Sequence, residues 1–498
     1  MSSGTIIFAV LVLGVTIMGF LASRWGAARL NSLDEWALGG RRFGTVVSWF
    51  LLGGDLYTAY TFIAVPALVY GVGALGFFAV PYATIAYPIA FVVLSRFWTI
   101  ARRRGYVTSA DFVRDRFGDR TLEVAIALTG VLAAMPYIAL QLAGMKAVFA
   151  QLGGAFSAAG GSISLAVAFV LLAAYTYTSG LRAPAMIAFV KDTLIYVTVI
   201  AAIVIIPAKL GGWAHIFDVS QATLAAKPGG AILLKPQQFF AYASWAFGSS
   251  LSLFIYPHSI TSVLAAKSRG VIRRNAALLP VYSLLLGFLA LLGFCALGAG
   301  YTTTNNSAVV PMLIKQFFPN WLGGVAQAAI VIGALVPAAI MAIGSANLFA
   351  SNVFNQFSTE RISGEAQTAK WLTLAFCAAG LLLVLTIPVA YAIYFQLLGG
   401  AWMLQIFPSF VFGMYTRWFH RRALLIGWLL GMIAATWMGI ATGFKPNVTM
   451  TIGAFSVTGF LALFALAINL AAAVILTPIF DRMRVDRGSD MSAAALPA

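Results

Sequence analysis

The chain has 498 residues, of which 61% are hydrophobic and only 9% charged, and its mean hydropathy is +0.93. Soluble globular proteins carry about a quarter charged residues because their surface must be wetted. A string of soluble domains is therefore excluded, and one polytopic membrane domain is expected. The net charge of +17 does not mark a nucleic-acid binder, because the basic residues lie in short clusters between long apolar runs. Cys295 and Cys377 both fall inside such runs, which leaves no disulfide framework and no metal-ligand cluster.

A helix crosses the hydrocarbon core with about 20 apolar residues. On that rule thirteen spans are predicted in chain order, at 5–27, 44–73, 77–101, 122–150, 162–181, 184–207, 237–262, 276–300, 323–350, 370–389, 391–414, 423–442 and 453–479. The runs are continuous rather than alternating, so they read as helices and not as barrel strands. Met1-Ser2-Ser3-Gly4 ahead of the first span lacks the positive stretch of a cleavable signal peptide, and that span is expected to be retained.

Lysine and arginine alternate across these spans. One side collects 25 of the 31: the clusters from Arg24 to Arg42 and from Arg96 to Arg120, Arg182 with Lys191, Lys267 to Arg274, Arg361 with Lys370, Arg417 to Arg422, and Arg482 to Arg487. The positive-inside rule makes that side cytoplasmic, with the N-terminus outside and the C-terminus inside. The fold class expected is an all-α polytopic membrane protein: a single transmembrane domain over 1–480, then a short, disordered cytoplasmic tail at 481–498. The longest loops, 208–236 and 301–322, fall outside, so no cytoplasmic output module of a receptor is expected.

The second and seventh spans are interrupted in matching ways. The second contains Gly53-Gly54-Asp55-Leu56-Tyr57-Thr58-Ala59-Tyr60-Thr61, and the seventh contains Tyr242-Ala243-Ser244-Trp245-Ala246-Phe247-Gly248-Ser249-Ser250-Leu251-Ser252. The two lie five spans apart, the spacing of two inverted repeats made of spans 2–6 and 7–11. Paired broken helices at corresponding positions point to a solute site near the bilayer midplane. Close helix packing by Gly and Ser is the competing explanation.

Several segments at and around these breaks resemble the sodium:solute symporter family. They are Asp34-Glu35-Trp36-Ala37-Leu38-Gly39-Gly40-Arg41-Arg42, Gly54-Asp55 on to Tyr70, Thr108-Ser109-Ala110-Asp111-Phe112 with Arg116-Phe117-Gly118, Gly180-Leu181-Arg182-Ala183 followed by Asp192, and Tyr256-Pro257-His258. Within the family the chain is similar to the rhizobial-type monocarboxylate uptake permeases at Ala64-Val65-Pro66-Ala67-Leu68-Val69-Tyr70, at Met135-Pro136-Tyr137-Ile138-Ala139-Leu140-Gln141-Leu142 and at Gly333-Ala334-Leu335-Val336-Pro337-Ala338-Ala339. The resemblance implies a LeuT-type 5+5 core in a bacterial cytoplasmic (inner) membrane. It also implies cation-coupled symport of small monocarboxylates such as lactate, pyruvate and acetate, with alanine sometimes included. A same-fold carrier for proline or pantothenate is the alternative. Neither a nucleic-acid partner nor an obligate protein partner is indicated, and no cofactor beyond a coupling ion, H+ or Na+.

Asp55 is the one acidic residue read as deep in a span, and a carboxylate there is costly unless it meets an ion, a proton or freed backbone groups. In the family a sodium ion is held by carbonyls of this span, here those of Gly54 and Tyr57, and by hydroxyls of the ninth span. This chain instead has Leu335-Val336-Pro337-Ala338-Ala339 there, with Ser345 the next hydroxyl. A hard cation wants oxygen ligands, so proton coupling through Asp55 competes with sodium. Asp192 matches a family aspartate on the cation's exit path; beside Lys191 it also reads as an interfacial ion pair.

Half-helix N-termini and nearby hydroxyls could receive a carboxylate. The candidates are Thr58, Tyr60, Thr61, Tyr242, Ser249 and Ser250, joined by the Tyr57 hydroxyl, with Gln141 and Gln396 as midspan amides. Tyr137 and Trp245 are candidate gates, and His258 is expected to be structural. A membrane enzyme is disfavoured, since three histidines and one deep carboxylate supply no nucleophile–base constellation. A channel would call for a pore-lining ring motif in a smaller oligomeric subunit.

Overall fold

A computed structural model describes residues 2–25, 30–54, 57–227, 229–355, 364–386, 389–453 and 455–492. In chain order its helices are α1 (Ser3–Leu21), α2 (Leu33–Ala37), α3 (Thr45–Gly54), α4 (Val65–Val72), α5 (Ala79–Arg104), α6 (Ser109–Phe117), α7 (Arg120–Leu152), α8 (Ser162–Ser179), α9 (Arg182–Lys209) and α10 (Gly212–Ala225). There follow α11 (Phe239–Leu253), α12 (Pro257–Leu264), α13 (Arg269–Leu278), α14 (Pro280–Gly298), α15 (Val309–Phe317) and α16 (Asn320–Phe349). The last four are α17 (Glu365–Thr386), α18 (Val389–Leu404), α19 (Arg421–Ala441) and α20 (Leu461–Arg482).

Eleven of the described helical stretches are long and apolar enough to cross a membrane, and the pair α11–α12, bent by 49°, makes a twelfth. The second expected span is two short pieces, Thr45–Gly54 and Tyr60–Val72, so the expected count of thirteen is not reached on length and composition. The last expected span also starts too early. Its first residues form β2 (Phe455–Phe460), paired antiparallel with β1 (Asn447–Ile452) in register Asn447↔Phe460. The hairpin's first strand lies ahead of the expected span, and its second runs on into the apolar α20. Its end is tied to α11, where the Phe460 N–H donates to Ser244 Oγ at 2.9 Å.

The core is helix on helix. α16 is buried along its whole apolar window and packs against α7, α1 and α9. Val10, Leu13 and Ile17 on α1, and Val167 and Val170 on α8, stay exposed. Such outward apolar side chains suit lipid contact.

The arginine-rich end is stitched together by local caps and ion pairs. Thr108 and Asp111 form a reciprocal cap at the start of α6, and Gly118 closes that helix in the left-handed conformation. Arg182 donates to Glu35 at 2.5 Å, and Arg42 bonds the same carboxylate. Burial works to raise the Glu35 pKa, but Arg182 and Arg42 outweigh it and hold the carboxyl below its ordinary value. Gly180 (φ +56) lies against the Trp36 carbonyl, where a Cβ would overlap the oxygen; only glycine suits both the angle and the space. The expected tail does not lie entirely free: Met491 N–H donates to the Asp115 carbonyl at 2.7 Å, and Asp490 pairs with Arg116 at 3.0 Å.

Candidate functional site

The second span breaks after Gly54 and resumes at Tyr60 with a wide, π-type turn, Tyr60–Ala64. Breaking a helix orphans backbone groups, and nearby side chains take them up. Gln141 Oε1 accepts from Ala59 N at 2.8 Å, Thr61 Oγ1 accepts from Thr58 N at 3.0 Å, and Thr58 Oγ1 accepts from Tyr60 N at 3.0 Å. Thus Gln141, Thr58 and Thr61 brace the break and are not among the side chains lining the cavity beside it. Asp55 lies outside the described residues.

The seventh span is not interrupted within Tyr242–Ser252, which runs unbroken in α11 because Gly and Ser there only permit close packing; it breaks between α11 and α12, where Pro257 occupies the first position of the new helix. Tyr60 from the first break meets Ser252, Leu253 and Tyr256 from the second around one cavity of about 20 Å³, closed in by Tyr82, Tyr137, Ser249, Gln396, Leu397, Gly400 and Phe460. That is room for about one water molecule, so the breaks are closed down on each other. None of the lining residues carries a formal charge at neutral pH. Two polar atoms on the wall, Tyr256 Oη and Gln396 Oε1, are buried and make no hydrogen bond. Buried polar atoms are nearly always paired, so these two are open to a ligand.

Of the expected substrate residues, Tyr60, Ser249 and Gln396 are brought together here. Ser250 points elsewhere, bonding the carbonyls of Tyr82 at 2.7 Å and Ala246 at 2.6 Å. The Tyr242 hydroxyl donates to the Phe77 carbonyl at 3.3 Å. Tyr82, Ser252, Tyr256 and Phe460 were not singled out as substrate contacts, although Tyr256 stands in the Tyr256-Pro257-His258 motif. Behind the cavity His258 is fully buried against the rings of Tyr137 (5.6 Å) and Tyr256 (5.3 Å). Trp245 packs on Phe78 at 4.8 Å and does not line the cavity.

Next to the first break lies a second feature that the sequence reading misplaced. Lys191 is not a surface charge on the arginine-rich side: its side chain is 0% exposed, inside α9. Its Nζ donates to the carbonyls of Gly54 at 3.1 Å and Tyr57 at 3.3 Å and pairs with Asp192 Oδ1 at 2.7 Å. Asp192, also 0% exposed, is likewise not interfacial, and it accepts from the Tyr282 hydroxyl at 2.9 Å. Glu123 is buried as well, so Asp192 is not alone among the buried acids. The Gly53-Gly54 pair has a packing reason here: a Cβ at Gly53 would overlap the Tyr282 ring, and one at Gly54 would come 3.0 Å from Lys191 Nζ. The Tyr57 hydroxyl donates to the Tyr282 carbonyl at 3.1 Å. The position of Lys191, nine residues past Arg182 and inside an apolar run, was the signal available. At about 1.5 Å per residue it stands about 13 Å along the helix.

The sodium:solute symporter family model matches residues 36–433. A monocarboxylate transport permease protein of Rhizobium johnstonii is 50% identical over 468 residues, covering 93% of this chain and 94% of its own. The uncharacterized symporter YodF of Bacillus subtilis is 34% identical, covering 95% and 93%. Among solved structures, a substrate-bound, outward-open Na+-coupled sialic acid symporter superposes with a TM-score of 0.76 at 15% identity, covering 96% of this chain and 98% of that one. Mhp1, a nucleobase-cation-symport-1 family transporter in a closed conformation with bromovinylhydantoin bound, gives 0.55 at 11% identity, covering 92% and 97%. These structural likenesses establish the shared LeuT-type fold.

Proposed function

We propose that this chain, which belongs to the sodium:solute symporter family, is a secondary active symporter that imports small monocarboxylates such as lactate, pyruvate and acetate, with alanine as a further substrate. The observation that carries the reading is the cavity where the two helix breaks meet. Its polar wall is built of phenols, hydroxyls and an amide, with Tyr256 Oη and Gln396 Oε1 still open. Such a wall suits a small anion with a short apolar body: neutral donors hold the carboxylate without a buried ion pair, and Leu253, Leu397 and Phe460 meet the alkyl end. An amide can turn to present its NH2 in place of its oxygen. The permease that is 50% identical supports the same substrate class.

Transport then follows alternating access, with the paired breaks letting the cavity open to one face and then the other. A cation moving inward, H+ or Na+, drives accumulation. Asp55, beside the Gly53-Gly54 break in sequence, is proposed as a coupling residue, and the site is proposed to lie in a bacterial inner membrane with the arginine-rich end cytoplasmic.

The test is uptake of labelled lactate into proteoliposomes, driven separately by an imposed proton gradient and an imposed sodium gradient, and competed with pyruvate, acetate and alanine. Asp55→Asn should abolish accumulation against a gradient while leaving downhill exchange. Proteoliposomes that accumulate proline or pantothenate and ignore lactate would overturn the substrate class.

A further inference from the structure

The oxygens that the family resemblance assigns to a sodium ion are already in use. We infer that Lys191 is a tethered cation that takes the place of that ion, so that this carrier works without bound sodium. The inference rests on the symporter reading for its consequence in transport, but not for the geometry behind it.

Three oxygens surround the ammonium: the Gly54 carbonyl at 3.1 Å and the Tyr57 carbonyl at 3.3 Å accept its N–H donors, and Asp192 Oδ1 faces it as an ion pair at 2.7 Å. Two of the three are the carbonyls expected to hold sodium. A sodium ion at the same oxygens would sit against a second positive charge, in a place with no water to screen the two. The remaining family ligands are missing too. α16 packs against α9, with Gly333 facing Ile195 one turn beyond Lys191, and no hydroxyl occurs between Gly333 and Ser345. The residues present therefore do not fit a bound sodium ion.

The exchange is conservative in charge. Asp192 remains beside one positive charge, and its other oxygen is held by Tyr282. Its mechanics differ: Lys191 ties the broken second span to α9, whereas the family's ion ties that span to the ninth. What changes is that this cation cannot leave. Lys191 is thus the residue that sets ion specificity, and it removes sodium from the two coupling ions proposed above.

The decisive experiment uses the full chain purified in choline chloride. Thermal stability is titrated with sodium chloride against potassium and choline chloride at fixed ionic strength. Wild type should respond to all three alike, and a saturable, sodium-specific stabilisation would overturn the inference. In proteoliposomes, lactate uptake with and without an inward sodium gradient should agree within about twofold, whereas a saturable dependence on sodium would overturn it. Lys191→Ala vacates the three oxygens and should acquire the sodium-specific thermal shift that wild type lacks; a folded Lys191→Ala indifferent to sodium would mean that these oxygens form no cation site. The wild-type titration decides the matter even if that variant does not fold. If no lactate is taken up under any gradient, the symporter reading falls while the thermal titration still judges the tether.

Discussion

Asp192→Asn keeps the size of the side chain and an acceptor for the Tyr282 hydroxyl, and removes only the charge opposite Lys191. The two charged groups are 2.7 Å apart and both side chains are 0% exposed, so water cannot replace the lost partner. Removing one member of a buried ion pair costs roughly 3–5 kcal/mol, because the survivor is left uncompensated. Lys191→Met orphans the opposite member at about the same cost, and leaves the Gly54 and Tyr57 carbonyls without their donor as well. The double variant leaves no unpaired charge. It loses the donor to two carbonyls, Gly54 and Tyr57, at about 1–3 kcal/mol for each buried acceptor left unmade. The carbonyl cost is common to Lys191→Met and the double and cancels, so the coupling is the cost of the two orphaned charges, at least roughly 3 kcal/mol. Denaturant titration of all four detergent-purified proteins measures it. Losses that add within about 0.5 kcal/mol, or an Asp192→Asn protein as stable as wild type, would refute the pairing.

Tyr256→Phe and Gln396→Leu each delete a polar atom facing the cavity while keeping most of the packing, so each should raise the KM for lactate uptake about 2–10-fold, as one hydrogen bond is worth. If initial-rate kinetics show an unchanged KM in both, the cavity is not the solute site. Gly180→Ala puts a Cβ into the Trp36 carbonyl at φ +56 and should sharply reduce folded yield on size-exclusion chromatography, whereas Gly105→Ala (φ +72, open space around it) bears only the backbone strain of about 1 kcal/mol. Equal yields for the two would show that the contact with Trp36 is not tight. For Asp115, burial acts to raise the pKa, but Tyr106, Arg104 and Arg114 bind the carboxylate and hold it below its usual range. A depressed folded pKa stabilises fully above the unfolded value, near 4, and that contribution is lost as pH falls through the folded value. The gap in melting temperature between wild type and Asp115→Asn should accordingly be wide at pH 7 and close below about pH 4, and a gap constant with pH would contradict the assignment.

Most of the architecture could be read from composition and punctuation. Apolar runs of spanning length place the helices because a bilayer leaves the backbone few ways to satisfy its hydrogen bonds. Gly53-Gly54 stands at the end of α3, as expected; in the seventh span the expected interruption at Tyr242–Ser252 is continuous helix, and the break comes after it, before Pro257. The hairpin was missed although Asn447-Val448-Thr449-Met450-Thr451-Ile452 alternates polar and apolar residues, a strand signal; only its second strand runs on into the apolar α20 and was counted with it.

The site was only half legible. A hydroxyl or amide near a break can serve either the broken backbone or a ligand, and composition does not distinguish the two. Thr58, Thr61 and Gln141 serve the backbone, while Tyr60, Ser249 and Gln396 reach the cavity. Lys191 shows the same ambiguity for charge. In a linear chain a lysine close to an arginine cluster reads as part of the positive side. Whether its ammonium faces water, or three oxygens contributed by its own neighbour and by a broken helix 134 to 137 residues away, is settled only when α9 packs against that break. Burial and partners are properties of the packed bundle, and for a charged group in lipid they decide everything about its role.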